Sequence, residues 1–255
     1  MWLDAGPGTF ASLQLVTDPS RLDAVILSHE HPDHWSDVES FAVWLREAAR
    51  RDPQVARRSP LPVYAPPGLR ARSYFGDDPL LAWREVEPAQ RIVVRPMERA
   101  PQSQTANAAE STNTKDRGAR PGEVLVCSFC ATDHGPPTLA VRFDVHRGGW
   151  AGSEPELPDR SLAYSADTGP GWSVEELGQR IGTFLCEATY GSAEEGSARH
   201  LSGRQAGAMA EAADVGVLVL THRRPSVRAE DVREEAAAAF GRDVAQAAPK
   251  TAFEW

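Results

Sequence analysis

Hydrophobic positions along this chain follow two rhythms. Short β-branched and aromatic runs, bounded by Gly, Pro, Asp and Ser, occur at 23–28 (DAVILS), 61–65 (LPVYA), 91–95 (RIVVR), 123–129 (EVLVCSF), 138–144 (TLAVRFD), 161–166 (SLAYSA), 183–188 (TFLCEA) and 215–221 (VGVLVLT). Their length and composition predict strands buried on at least one face. Elsewhere the apolar positions recur every three to four residues. Val38, Phe41, Leu45 and Ala48 predict a helix over 36–51, with arginines gathered at its end. Ser173 with Glu176, and Ser202 with Gln205, have the spacing of capping boxes and predict helices over 174–181 and 203–213. A last helix is expected over 229–240. Strands alternating with helices predict a layered α/β fold.

Two stretches break the pattern. Residues 100–123 are polar and almost free of large apolar side chains, which predicts a disordered surface insertion. Residues 146–160 are rich in Gly and Pro and read as a loop, with His146 an ordinary loop residue. The chain has 255 residues, enough to bury a substantial core, so one domain spanning 1–255 is expected. No internal repeat is visible.

Composition narrows the function classes. A net charge of −9 argues against a general nucleic-acid binder, which needs a basic face to displace counterions from phosphates. No run reaches the roughly 18 to 20 apolar residues of a membrane span, and no signal segment opens the chain, so a cytoplasmic location is expected. Three cysteines make no disulfide framework. Cys127 and Cys130 form a C-x-x-C, but on a predicted strand residues three apart point to opposite faces. Buried strand cysteines are therefore expected rather than a metal or redox pair.

The chemistry concentrates at residues 26–37, ILSHEHPDHWSD. His29, His31, Asp33 and His34 follow a predicted strand directly and precede a helix, in a chain with only seven histidines. Neutral imidazole and carboxylate are ligands for zinc, manganese or iron. A tight strand-to-helix turn can aim several of them at one point. His134, Asp167 and His222 each lie just past the C-terminal end of a predicted strand, where α/β sheets collect ligands. Each alone is weak evidence, Asp167 reading equally well as a turn aspartate; their shared placement gives them weight.

SHEHPDH, DHG, YSADTG and THRRP, in this order and preceded by LDAGPGT, resemble the motifs of the metallo-β-lactamase superfamily. The resemblance spans nearly the whole chain apart from the polar insertion. It implies an αββα sandwich with two divalent metal ions at one edge, zinc before manganese or iron. By position, His29, His31 and His134 would hold the first ion, and Asp33, His34 and His222 the second. Asp167 would bridge them, and Asp4 would tie the loops beneath the site. The chain starts at the segment matching the first motif, so it is expected to lack the outer strands that precede this motif in relatives and to expose an edge that favours dimers.

Within the superfamily, CEATYG and ARHLSGRQAG resemble the phosphodiesterase branch that includes ribonuclease Z and cyclic-nucleotide phosphodiesterases. There Glu187 would orient His200 toward the scissile phosphate, unless His200 merely caps the helix after it. Asp133 would be a turn or supporting residue. Only 32 residues separate His134 from Asp167, too few for the tRNA-grasping arm of ribonuclease Z. The nearest likeness is to atypical class II cyclic-nucleotide phosphodiesterases. The expected activity is hydrolysis of a small phosphodiester such as cyclic AMP by metal-activated hydroxide, with Asp33, Asp167, His200 and Glu187 in the chemistry. An RNA 3′-end endonuclease, a degenerate metal-binding protein, and a thioesterase or lactamase are the alternatives.

Overall fold

The computed structural model describes residues 1–95, 123–147, 157–249 and 251–253. The chain opens with β1 (Trp2–Leu3) and α1 (Thr9–Val16); β2 (Val25–Ile26) leads into α2 (Pro32–Trp35), α3 (Asp37–Arg51) and α4 (Pro53–Arg57). After β3 (Leu61–Ala65) and β4 (Leu81–Glu85), a first sheet is complete in the order β1-β2-β3-β4, all parallel. The rest of the chain supplies β5 (Arg91–Val94), β6 (Glu123–Ala131), β7 (Leu139–Arg147), β8 (Arg160–Tyr164), β9 (Thr183–Glu187), α5 (Gly203–Ala212), β10 (Val217–Thr221), α6 (Ala229–Phe240) and β11 (Ala245–Gln246). These strands form a second sheet ordered β11-β10-β9-β8-β7-β6-β5. It is antiparallel from β5 to β8 and parallel from β8 to β11.

Three apolar layers make this an αββα sandwich. Phe10, Val38, Phe41 and Leu45 of α1 and α3 pack on Val25, Val63 and Leu81, covering the outer face of the first sheet. Ile26 and Tyr64 meet Cys127, Phe129, Val141, Phe143 and Tyr164 between the sheets. Ala206 and Ala210 of α5, with Val232, Ala236 and Phe240 of α6, cover Phe184, Leu218 and Leu220 on the far side. Phe41 and Phe184 are completely buried, each worth about 1.5–3 kcal/mol in apolar area removed from water.

Local chemistry explains the elements that place the site. Pro32 starts α2, where its missing N–H costs nothing. Asp37 and Glu39 at the start of α3, and Arg50 and Arg51 at its end, complement the helix dipole. Ser202 and Gln205 form the predicted capping box at the start of α5. Gly203 and Gly207 let α5 approach α6 closely: a Cβ on either would collide with the backbone carbonyl of Val232 or Ala236.

Several expectations need correction. The helix expected over 174–181 is a single 3-10 turn, Val174–Leu177. Ser173 caps the N–H of Glu175 rather than pairing with Glu176, and Gly178 at φ 95° ends the turn. β7 runs on to Arg147, so His146 is a buried strand residue, not a loop residue. Beyond Arg147, residues 148–156 of that expected loop lie outside the described residues. The expected insertion lies outside them too, except Glu123, which opens β6. Both cysteines lie on a strand and face opposite sides as expected: Cys127 is buried in the layer between the sheets, while Cys130 is only half-buried and packs toward the helices. Burial pushes their thiols up to about 12 and about 11. No helix among the described residues is long and apolar enough to cross a membrane.

Candidate metal centre

The C-terminal end of β2, the loops after β6, β8 and β10, and α2 meet at one edge of the sandwich. His29 Nε2 lies 3.0 Å from His31 Nδ1, which lies 3.3 Å from His134 Nε2. His34 Nε2 lies 3.3 Å from His222 Nε2, and Asp33 Oδ2 stands 3.7 and 3.6 Å from the same two nitrogens. Asp167 sits between the groups. Its Oδ2 is 3.6 Å from His29 Nε2 and 3.8 Å from His134 Nε2, while Oδ1 is 3.3 Å from His34 Nε2 and 3.4 Å from His222 Nε2.

These donors fit two divalent ions. Four ligands at about 2.1 Å around a tetrahedral metal stand about 3.4 Å apart, close to the spacings here. Asp167 Oδ1 is buried and makes no hydrogen bond among the described residues, although it faces two imidazole nitrogens. His29, His31, His134 and Asp167 form one group whose ligand atoms lie within 4.8 Å of one another, and Asp33, His34 and His222 form another. Every metal-ligating position expected from the sequence is therefore brought together.

Four of the five imidazoles are oriented by their other nitrogen. His29 Nδ1 is 3.0 Å from Ser28 Oγ, His34 Nδ1 is 2.7 Å from Asp4 Oδ2, and His134 Nδ1 is 3.2 Å from the Arg199 carbonyl. His222 Nδ1 is 2.9 Å from Thr189 Oγ1. All four rings thus turn Nε2 inward, and only His31 presents Nδ1. Asp4 also accepts from the Ser28 N–H and hydroxyl, both at 2.7 Å, and from the Tyr164 hydroxyl at 2.8 Å. It holds the loop before α1, the motif turn and β8 together.

Electrostatics separate the ligands. Burial, reinforced by His34, pushes His29 down to about 3 and keeps it neutral. Burial also lowers His134. For His34 burial opposes the charge, but the adjacent Asp167 and Asp4 carboxylates outweigh it and hold the ring up at about 10. His222 is raised as well, its burial outweighed by the Asp33 carboxylate. Contact with His222 holds Asp33 down at about 2. Asp167 is buried, yet His34 and the other imidazoles keep it well below the usual carboxylate range.

Beside the cluster stands a second pair. His200 Nδ1 lies 2.9 Å from Glu187 Oε1, so the helix cap falls to Ser202 and not to His200. The His200 ring stacks on His222 at 5.5 Å and lies 5.1 Å from His134. Burial lowers its pKa, but Glu187 more than compensates and the net shift is upward. Glu187, 1% exposed, also accepts from the N–H groups of Thr168, Thr189 and Leu201 and from the Thr189 hydroxyl. Asp133 receives the Gly169 and Gly171 N–H groups and shapes the turn after Asp167. Ser28, Tyr164 and Thr189 were not foreseen in the site. All three stand in or beside the quoted motifs, but a hydroxyl carries no spacing signal of its own.

A family model described as beta-lactamase superfamily domain matches residues 1–223. An uncharacterized protein of Mycobacterium tuberculosis is 29% identical over 264 residues, which cover 93% of this chain and 75% of that protein. Ribonuclease BN of Escherichia coli is 27% identical over 249 residues, covering 87% of this chain and 78% of its own. The metallo-beta-lactamase fold protein YhfI from Bacillus subtilis shares the fold, with a TM-score of 0.70 at 20% identity over 96% of this chain and 83% of that one. With that match over most of its length and two His/Asp groups converging at one sheet edge, the chain belongs to the beta-lactamase superfamily, in its metallo-β-lactamase fold, and is a metal-dependent hydrolase.

Proposed function

We propose that this hydrolase cleaves phosphodiester bonds in RNA. His29, His31 and His134 would hold one divalent ion, Asp33, His34 and His222 the other, with Asp167 between them. Two such ions supply Lewis acidity toward phosphate oxygens and acidify a bound water. The observation that carries the phosphodiester reading is the His200–Glu187 pair at 2.9 Å beside the cluster. Glu187 takes His200 Nδ1 and favours the charged ring, leaving Nε2 to donate a proton to a departing alkoxide or to the phosphoryl oxygens. Likeness to ribonuclease BN supports RNA as the substrate.

Cyclic nucleotides form the second reading. It is favoured by the 32 residues between His134 and Asp167, which leave no room for a long RNA-grasping arm, and by the net charge of −9. The test assays a 3′-extended precursor tRNA and 3′,5′-cyclic AMP with zinc- or manganese-loaded protein, beside Asp33→Ala and His200→Ala. RNA cleavage is expected, lost in Asp33→Ala and reduced about 10²–10⁴-fold in His200→Ala with its metals retained. Turnover of cyclic AMP alone moves the assignment to the second reading. Acyl esters cleaved as fast as either phosphodiester would overturn both.

A further inference from the structure

Thr189 stands where the metal cluster and the His200–Glu187 pair meet. Its Oγ1 lies 2.7 Å from Glu187 Oε2, 2.9 Å from His222 Nδ1 and 3.1 Å from the His222 carbonyl oxygen. A hydroxyl has one proton to give. The shortest and charge-assisted contact takes it to Glu187 Oε2. Oγ1 is then an acceptor toward His222, so His222 must carry its proton on Nδ1. A neutral ring in that tautomer has its lone pair on Nε2, the atom that faces Asp167 and Asp33.

The rest of the network fits this assignment, and a proton given to the His222 carbonyl at 3.1 Å instead would equally leave Oγ1 an acceptor toward Nδ1. Glu187 Oε1 is taken by the Thr168 N–H at 2.7 Å and by His200 Nδ1 at 2.9 Å. His200 Nδ1 is 3.4 Å from Thr189 Oγ1, a poorer contact than its bond to Glu187. One carboxylate therefore serves both halves of the site, directly for His200 and through one hydroxyl for His222.

We propose that Thr189 is a positioning residue that sets the tautomer of His222 and, through Glu187, ties the second metal position to His200. This rests on the two-ion reading of the site. Removing the hydroxyl frees His222 to hold its proton on Nε2, where it cannot ligate. His29, His31 and His134 take no support from Thr189, so the first position should be untouched.

The test counts bound zinc by element-resolved mass spectrometry across a series of buffered free-zinc concentrations. It compares the parent with Thr189→Val, Thr189→Ala and Thr189→Ser. The parent is expected to fill two positions. Val and Ala should keep the first and bind the second about 10- to 100-fold more weakly, the usual effect of losing a hydrogen-bond partner of a ligand. Ser, which retains the hydroxyl, should restore both. Thr189→Ala covers the case in which the branched valine does not fold. A hydroxyl-free variant that holds both ions at parental affinity overturns the inference, as does equal loss of both ions or a serine variant that behaves like valine. A parent that binds fewer than two ions overturns the two-ion reading itself, and this inference with it.

Discussion

At the residue scale, function depends on which nitrogen of each ring is already engaged. His29 and His34 are neighbours with ring centroids 4.1 Å apart, yet burial keeps one neutral while two carboxylates keep the other charged. Ions need neutral imidazole, so loading the metal-free protein must expel the proton on His34 but none from His29. At pH 7 loading should release about one proton or more, and the second ion should bind more tightly as pH rises toward 10. Calorimetry in buffers of different ionisation enthalpy measures this; a release of zero would contradict it. The sign for stability is opposite. The folded pKa of His34, about 10, lies above its ordinary value of 6.5. Its contribution in the metal-free protein is therefore full below pH 6.5 and lost as pH climbs through 10, so melting in the presence of a chelator should come at lower temperature at pH 10 than at pH 6.5. Tyr164→Phe offers a simpler check. It removes one donor from the Asp4 carboxylate and should cost about 1.5–3 kcal/mol in urea unfolding without changing the fold.

At the element scale, the site is built where strands stop abruptly. Asp4, Ala166 and His222 adopt left-handed backbone at φ 48°, 52° and 53°, immediately after β1, β8 and β10 or within two residues of them. Such conformations cost non-glycine residues on the order of 1–3 kcal/mol and persist where the surroundings hold them. Here they turn Asp4, Asp167 and His222 toward a common point. Gly6 is needed for a different reason: a Cβ there would run into the backbone carbonyl of Asp33. Gly6→Ala should push the turn carrying Asp33 and His34 out of place and lower hydrolysis by about 10²-fold, with the second ion lost first in a metal count. On the far face, Gly207→Ala tests the α5–α6 contact. Overpacking against the Ala236 carbonyl, at about 3 kcal/mol, outweighs the gain of about 1 kcal/mol in helix propensity, so urea unfolding should show a net loss.

At the scale of the whole molecule, the metal centre joins the two sheets. His29, His31, Asp33 and His34 come from the end of β2 in the first sheet and from α2 after it, while His134, Asp167 and His222 follow strands of the second. Ions held there would link the halves and bind only the folded chain, and so would stabilise it by mass action. Chelation should lower the melting temperature, and zinc should restore it reversibly. A protein whose melting ignored chelation would have to hold its sheets together by the Ile26–Phe143 layer alone.

The candidate ligands nearest one another in sequence were legible in advance because their geometry is local. His29, His31, Asp33 and His34 leave one strand and enter one helix, and a short turn has few ways to arrange them. The alternation of strands and helices likewise announced the layers, since period two and period 3.6 bury different stripes. Beyond that range the chain was silent. No spacing brings Tyr164 to Asp4, 160 residues away, or Thr189 to His222 across adjacent strands. The capping pattern at Ser173 promised a helix, but Gly178 allowed the chain to leave after one 3-10 turn. Backbone periodicity is set by each segment's own side chains. The tautomers, the shared carboxylate and the left-handed turns are set by neighbours that only the packed sheets supply.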